Sequence, residues 1–216
     1  MTIRPGEKVG IVGRTGSGKS TIINALLRIT ELSAGSILID GVEIRDIFVK
    51  SLRAEVTVID QEPVLVEGSF RENVDMLGQH SDEELKGVLA ECNLWAVIER
   101  RGGLAAKVER NGLSAGEKQL LCICRALLRR SRIVLIDEAT ANIDARNDEL
   151  VQRILAEKFR DVTVITIAHR LTTLKHYDKI MVMEAGRLAE YGTPDALFQQ
   201  KGIYYQMVTK NEKKYV

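Results

Sequence analysis

Apolar positions in this chain fall into short continuous runs that alternate with amphipathic segments. The runs at 56–59, 133–136 and 162–167 are almost uninterrupted. Runs of that length are typical of strands buried on both faces, as in a parallel sheet covered by helices. The complete set of predicted strands is 8–12, 36–39, 42–45, 56–60, 133–137, 162–167, 179–183 and 187–191. The pattern therefore predicts an α/β fold with a mostly parallel sheet.

Helix starts are marked by capping residues. Apolar residues over 21–29 recur at helical spacing, and Ser81 precedes three acidic residues at the start of another helix. Ser114 and Glu117 have the spacing of a capping box, in which each side chain satisfies a backbone donor at the helix start. The helix that follows should run to about residue 129. A helical block is therefore predicted over 69–130, between the sheet-forming segments.

Two further local signals predict a turn and a helix start. Asp40-Gly41 is a typical two-residue hairpin turn between two predicted strands. Thr193-Pro194 combines a cap with a proline in the first helical turn and predicts a short helix. The polar end of the chain, 210–216, is expected to fray.

Composition narrows the class of protein. The net charge is +1 and the pI about 7.7, which gives no global sign of nucleic-acid binding. No apolar run approaches the ~20 residues that a membrane-spanning helix needs. Cys92, Cys122 and Cys124 lack the spacing of metal ligands or disulfide pairs, so we expect reduced, buried thiols.

Candidate chemistry begins between the first strand and the first helix. Residues 13–20 fit the phosphate-loop pattern G-x-x-x-x-G-K-[ST]. Glycines let backbone N–H groups surround an anion, and the helix start adds partial positive charge. Lys19 is then expected to contact the β- and γ-phosphates, and the Ser20 hydroxyl to bind Mg²⁺.

A second group of residues ends the strand predicted at 133–137. Asp137 and Glu138 follow an apolar run, at the strand end that carries ligands in open α/β sheets. Asp137 is a candidate Mg²⁺ ligand opposite Ser20, and Glu138 a candidate base for a water that attacks the γ-phosphate. Two solvated acids would be the alternative interpretation, which the phosphate loop makes less favourable.

Taken together, the motifs resemble the nucleotide-binding domain of an ABC transporter, and they occur in that family's order. The matching elements are Walker A at 13–20, the glutamine loop at Gln61, the signature at 113–117, Walker B at 133–137, the D-loop at 141–144 and the switch His169. The residues at 68–75 and 121–128 are most similar to the second ATP-binding domain of the C subfamily, the multidrug-resistance-associated exporters.

The resemblance implies a role for each matching residue. Glu138, His169 and Gln61 are the implied catalytic residues. Ser20, Gln61 and Asp137 are the implied Mg²⁺ ligands. The implied ATP-binding residues are Gly13, Arg14, Thr15, Gly16, Ser17, Gly18, Lys19, Ser20, Thr21, Ser114, Gly116 and Asp144.

The resemblance to this family also implies how the chain divides into subdomains and which partners it has. A RecA-like core would comprise 1–67 and 131–197, a helical subdomain 68–130, and a C-terminal helix with a polar tail 198–216. Two such domains would pair head to tail around ATP and drive transmembrane domains at the cytoplasmic face of a membrane. Transport of a substrate across that membrane is the implied function, with no nucleic acid as partner.

Two departures from the family pattern stand out. The usual signature is Leu-Ser-Gly-Gly-Gln, whereas this chain has Ala115 and Glu117 in place of a glycine and the glutamine. Glutamate preserves the capping box but places a negative charge near a partner's triphosphate. The aromatic residue that stacks on adenine upstream of Walker A is also missing, so the chain is expected to be an N-terminally truncated fragment.

Three other classes of protein could carry a phosphate loop of this kind. A GTP-dependent switch protein would share the phosphate loop, but its N-K-x-D motif is missing from the sequence. A soluble non-transporter relative, such as a DNA-repair ATPase, would need a long coiled coil, and 69–112 has no sustained heptads. A regulatory domain that binds ATP with little turnover stays open, although Glu138 argues against it.

Overall fold

The computed structural model describes residues 1–109, 112–137, 145–168 and 171–212. The chain divides into two compact units. The first comprises Met1–Thr57, Arg132–Glu138 and Asp161–Val216, and the second Val58–Ser131 and Ala139–Arg160. Among the described residues, no helix has the length and apolar character needed to cross a membrane.

Eight strands account for the sheets of the described chain. They are β1 Lys8–Gly13, β2 Leu38–Ile39, β3 Val42–Glu43, β4 Val56–Ile59, β5 Ile133–Asp137, β6 Thr163–Ile167, β7 Lys179–Glu184 and β8 Arg187–Gly192. Six of them form one sheet in the order β4-β5-β6-β1-β7-β8. The β5–β6, β6–β1 and β1–β7 pairs are parallel and β7–β8 is antiparallel. The predicted α/β class with a mostly parallel sheet is confirmed.

The register of this sheet aligns the ends of its central strands. Ile167 of β6 pairs with Asp137 on one side and with Ile11 on the other. Gly13, the last residue of β1, pairs with Met183 of β7. The carboxyl ends of β5, β6, β1 and β7 therefore meet at one edge, where ligands bind in folds of this type.

Helices occupy both units. The first unit contains α1 Lys19–Leu26, α2 Val49–Glu55, α8 Pro194–Gln199 and α9 Ile203–Glu212, and the second α3 Phe70–Val74, α4 Asp82–Glu91, α5 Trp95–Arg100, α6 Ala115–Arg129 and α7 Ala145–Lys158. Short 3₁₀ turns lie at Ile44–Asp46 and Leu171–Leu174. Helix α9 continues to Glu212, so the fraying expected from residue 210 was wrong for the first three of those residues.

Local turn chemistry follows the sequence closely. Asp40 and Gly41 both adopt positive φ, 50° and 82°, and join β2 to β3 as a hairpin. Ser81 caps α4 with Glu84 in a capping box, and the Thr193 side chain accepts from the N–H of Ala196 at the start of α8.

Helix α1 differs from its prediction at both ends. It begins at Lys19 rather than 21 because Gly18, with φ 96°, forms its left-handed N-terminal boundary. It ends at Leu26 rather than 29 because Arg28 adopts φ 50°. The Arg28 N–H then bonds Ala25 O at 3.1 Å and the Ile29 N–H bonds Asn24 O at 2.8 Å, the pattern of a Schellman motif.

Each unit has its own buried core. In the first unit, Val12, Leu174, Ile180, Val182 and Leu197 belong to one fully buried cluster on the β1–β7 side of the sheet. In the second unit the largest buried side chains come from the end of β4 and from α3, α4, α5 and α6 and their boundaries. They are Ile59, Phe70, Leu85, Leu89, Leu94, Ile98, Leu121 and Ile123. The apolar face of α6 is thus the centre around which the second unit packs.

Candidate nucleotide-binding site

The loop between β1 and α1 has the backbone of an anion-binding turn. Gly16 and Gly18 adopt φ values of 78° and 96°, which only glycine takes readily. The loop closes on itself through the Ser17 N–H, which donates to Arg14 O at 3.1 Å. It is tied to the β7–β8 turn by the Gly186 N–H, which donates to Ser17 O at 3.2 Å. The loop is therefore fixed on both sides.

Gly13 is required by close packing. A Cβ at this position would lie 2.4 Å from Met183 O and 2.5 Å from Ser17 Oγ. Neither contact is possible for a carbon atom without movement of the backbone. The first glycine of the motif therefore lets β1 pair with β7 up to the point where the loop begins.

Lys19 lies under the loop. The residue is only 6% exposed. Its ammonium donates to Gly13 O at 2.9 Å and to Arg14 O at 3.1 Å. Burial of a charged group is costly unless it is hydrogen-bonded, and these carbonyls meet part of that requirement. The result is a positive charge held in place beneath the turn.

The start of α1 leaves its donors open to a ligand. No side chain caps it, and its first turn contains no acidic residue. The first N–H groups of a helix lack intrahelical acceptors and carry partial positive charge. Ser20 and Thr21 follow in the first turn, and both are exposed. An uncapped helix start above a buried lysine is an arrangement suited to phosphate.

A cavity of about 720 Å³ lies against this loop. Gly13–Ser17 line one side, and residues from the end of β7 and from α9 line much of the rest. Arg14 and Lys210 contribute positive charge to its lining, whereas Met183 and Met207 contribute apolar surface. The loop is therefore accessible at the sheet edge where the carboxyl ends of the strands meet.

Asp137 occupies the same edge. It ends β5 and is half-buried, with β6 between it and β1. Strands are spaced by about 4.8 Å, so the Asp137 backbone lies roughly 10 Å from the β1 residue at the same level. A carboxylate and the Ser20 hydroxyl are hard oxygen donors of the kind that Mg²⁺ prefers. The donor set within this unit therefore fits the metal that the sequence predicted.

The remaining predicted residues do not all fall within this site. Gln61, Ser114 and Gly116 belong to the second unit, where Gln61 and Ser114 are exposed and Gly116 is buried. Glu138, Asp144 and His169 lie outside the described residues. Within the first unit the structure thus brings together residues 13–21 and Asp137.

The start of α6 is closed by its own side chains. The Glu117 N–H donates to Ser114 Oγ at 3.2 Å, and the Ser114 N–H donates to Glu117 Oε2 at 2.7 Å. Both halves of the predicted capping box are present. The glutamate that replaces the family's glutamine therefore keeps the helix start intact while leaving a negative charge there.

The support that the phosphate loop receives from the β7–β8 turn was not predicted from the sequence. Ala185 and Gly186 both take positive φ, 47° and 78°. A glycine between two predicted strands was the available signal for a turn, but nothing in the sequence places that turn beside Ser17.

This geometry defines a phosphate-loop nucleotide-binding protein with a RecA-like parallel sheet. Comparison with known proteins identifies its family. Residues 1–141 match the family model described as "ABC transporter", and the chain belongs to this family of ATPases, whose domain binds ATP.

Similar proteins come from the C subfamily. The chain is 47% identical over 217 residues to "Probable multidrug resistance-associated protein lethal(2)03659" of Drosophila melanogaster, a match that covers 99% of this chain and 15% of the relative. It is 48% identical over 210 residues to human "ATP-binding cassette sub-family C member 4", covering 95% of this chain and 16% of the relative. It is 45% identical to rat "ATP-binding cassette sub-family C member 2", a match that covers 95% of this chain and 14% of the relative. The chain thus spans about one-seventh of the length of these relatives.

Proposed function

We propose that this chain is an ATP-hydrolysing domain that powers substrate export by a multidrug-resistance-associated transporter. The observation that carries the proposal is the open start of α1 above the buried ammonium of Lys19, which donates to Gly13 O and Arg14 O. The relatives' names and the ABC transporter family support the assignment to export.

Binding begins with the triphosphate at residues 13–21. The loop N–H groups and the first turn of α1 donate to the phosphate oxygens. Because Lys19 is held by two carbonyls, its ammonium can exchange one of these acceptors for a β- or γ-phosphate oxygen without moving far. Charge-assisted bonds of this kind are about twice as strong as neutral ones. Preorganisation of the lysine therefore favours triphosphate over water in the loop.

A magnesium ion, when bound with the nucleotide, neutralises charge that develops on the transferred phosphate. Ser20 and Asp137 would hold it, with Gln61 as a further oxygen donor. The half-buried position of Asp137 at the end of β5 supports this role, because carboxylate and hydroxyl oxygens suit a small hard cation.

Hydrolysis requires a residue that orients and deprotonates water. We assign this role to Glu138, which follows the last residue of β5 in sequence, and a γ-phosphate contact to His169, which follows the strand β6 and Ala168. Asp144 would complete the nucleotide site across a paired domain. These roles rest on sequence order and family resemblance.

Pairing with a second ATP-binding domain would complete the active site. In a head-to-tail pair, Ser114 and Gly116 at the start of α6 would face the triphosphate bound by the partner domain. The proposed organisation is a core of 1–67 and 131–197, a helical subdomain of 68–130, and a C-terminal segment of 198–216.

Transmembrane domains would dock on the second unit, at the cytoplasmic face of a membrane. Val64, Met76 and Leu77 in this unit are 65%, 62% and 78% exposed, which is high for large apolar side chains. Val64 follows Gln61 closely in sequence, and Met76 and Leu77 lie further along in the same unit. Exposed apolar residues of this kind are often protein-interaction sites.

The experiment is ATP turnover by the domain paired with its partner domain. Loss of a general base costs about 10²–10⁴ in rate, so Glu138→Gln is expected to bind ATP normally and lose turnover by that factor. Glu149→Gln, which removes one charge from the exposed face of α7, is the matched control and should retain full activity. Unchanged turnover in Glu138→Gln would remove this residue from the role of base.

A regulatory domain that binds ATP with little turnover is the second candidate. It is favoured by the carboxylate of Glu117 at the start of α6, which opposes an incoming triphosphate. ATP binding by the wild-type pair without phosphate release would support this candidate against the first.

A further inference from the structure

Gln61 lies in a segment that α6 holds on both sides. On one side, the Gln119 side chain, itself 1% exposed, donates to Asp60 O at 3.3 Å. On the other, the Arg125 guanidinium donates to Val64 O at 2.7 Å. Gln61 itself is exposed and can therefore reach a ligand. All of these residues belong to the second unit.

Arg125 links this segment to α3 as well. Its Nε donates to Asn73 O at 2.5 Å and its Nη2 to Asn73 Oδ1 at 3.2 Å. One guanidinium therefore contacts acceptors on two separate stretches of chain. This use of several donors in a fixed planar arrangement is specific to arginine.

The Asn73 side chain in turn binds the backbone of Val66. Asn73 is fully buried. Its Oδ1 accepts from the Val66 N–H at 2.9 Å, and its Nδ2 donates to Val66 O at 2.9 Å and to Ser69 O at 3.0 Å. The backbone of Val64–Val66 is thereby fixed by side chains in a stretch without regular secondary structure.

The thiol of Cys122 lies beside this network. Cys122 Sγ is 3.7 Å from Arg125 Nη1. Burial raises the pKa of the Cys122 thiol. Nη1 of Arg125 thus donates both to Val64 O and to this sulfur.

We infer that Arg125 is a positioning residue: it fixes the segment after Gln61 to α6, so that Gln61 and the start of α6 move as one body. This inference rests on the proposed function for its catalytic consequence. Movement of Gln61 relative to the phosphate loop would then necessarily carry Ser114 and Gly116 with it.

The structural part is tested on the chain itself by amide hydrogen exchange. In Arg125→Gln, amides of 64–70 should exchange at least about tenfold faster, because charge-assisted hydrogen bonds are lost, while those of β1 keep their protection. Arg125→Lys, which keeps one charged donor, should restore part of the protection. Lys118→Gln removes a positive charge from the same helix and should change neither region.

Two results of this experiment would overturn the inference. One is unchanged exchange at 64–70 in Arg125→Gln. The other is an equal rise throughout the chain, which would make Arg125 a residue of general stability.

The catalytic consequence is tested with the paired domain. Arg125→Gln should lower kcat for ATP about tenfold, because small misplacements of reacting groups slow catalysis, and leave KM within about twofold of wild type, since residues 13–21 are untouched. Unchanged kcat despite faster local exchange would overturn the positioning role in turnover. If the wild-type pair hydrolyses no ATP, the proposed function fails, and the exchange experiment still decides whether Arg125 fixes the segment.

Discussion

The starts of α1 and α6 are chemically opposite versions of the same element. At α1, the boundary residue is Gly18, no side chain caps the helix, and a buried lysine adds positive charge. At α6, Ser114 and Glu117 close the helix start and add negative charge. An isolated helix start favours capping, because capping stabilises it. Of the two helix starts, the one at α1, uncapped and beside a buried ammonium, is therefore the one suited to an anionic ligand.

The largest expected effect comes from Lys19→Ala at the open start. Loss of a charge-assisted contact to phosphate is worth about 1.5–3 kcal/mol, which corresponds to a roughly 10- to 150-fold weaker affinity for ATP. The thermal shift produced by Mg-ATP measures this, because a ligand that binds the native state raises the midpoint. Lys50→Ala, on the exposed side of α2, is the control. Equal ATP-induced shifts in Lys19→Ala and wild type would refute the assignment.

Gly13→Ala tests the close packing of β1 against β7 at the point where the phosphate loop begins. Its Cβ would collide with Met183 O and Ser17 Oγ, so we expect a loss of about 1–3 kcal/mol in the free energy of unfolding. Chemical denaturation measures it. Gly16→Ala is the comparison, because its Cβ would meet nothing within 4 Å and only the positive φ is strained. A smaller loss for Gly13→Ala than for Gly16→Ala would contradict the packing argument.

Ser114→Ala removes the side-chain cap from the start of α6. Removal of a serine cap costs about 1 kcal/mol, which lowers Tm by about 2–4 °C in a chain of this size. Ser114→Thr retains a capping hydroxyl and should recover most of that loss. Calorimetry of the chain without nucleotide gives the values. No change in Tm on removal of the hydroxyl would mean that the capping box contributes nothing to α6.

Glu117→Gln should have the smallest effect on stability. The capping box survives, and only the attraction of a carboxylate to the helix dipole is lost, about 0.3–1 kcal/mol. Under the proposed function, ATP-dependent pairing with a partner domain should become stronger, since one charge is removed from beside its triphosphate. Size-exclusion chromatography at several salt concentrations measures the pairing. A mutant that pairs no better than wild type at low salt would show that Glu117 does not face phosphate.

The starts of α1 and α6 also show which structural features can be predicted from the sequence. The start of α6 was predicted from the S-x-x-E spacing of Ser114 and Glu117, and the start of α1 was placed within two residues from the glycines and lysine of 13–20. In both cases the determinants lie within a few residues of the helix start. The hairpin at Asp40-Gly41 was predicted for the same reason. Strands 133–137 and 162–167 were found from continuous apolar runs, which report burial on both faces.

Features that depend on distant residues were not predictable. Arg125 contacts Val64 and Asn73, which are 61 and 52 positions away in sequence. Its role depends on how α3 and α6 pack, and no local pattern reports that. Helix α2 was not predicted either, because its seven residues are too few to show a helical period clearly. The end of α1 was placed three residues late, because nothing in the sequence marks Arg28 for positive φ.

The most direct test of the account is a titration of the isolated chain with Mg-ATP, followed by the amide NMR signals of both helix starts. We predict that the signals of Gly16, Gly18, Lys19 and Ser20 shift with a common dissociation constant. The signals of Ser114 and Glu117 should stay in place over the same concentrations, because their N–H groups are already hydrogen-bonded within the capping box. Shifts at the start of α6 in the isolated chain, or no shifts at the start of α1, would contradict the claim that the open start is the nucleotide site.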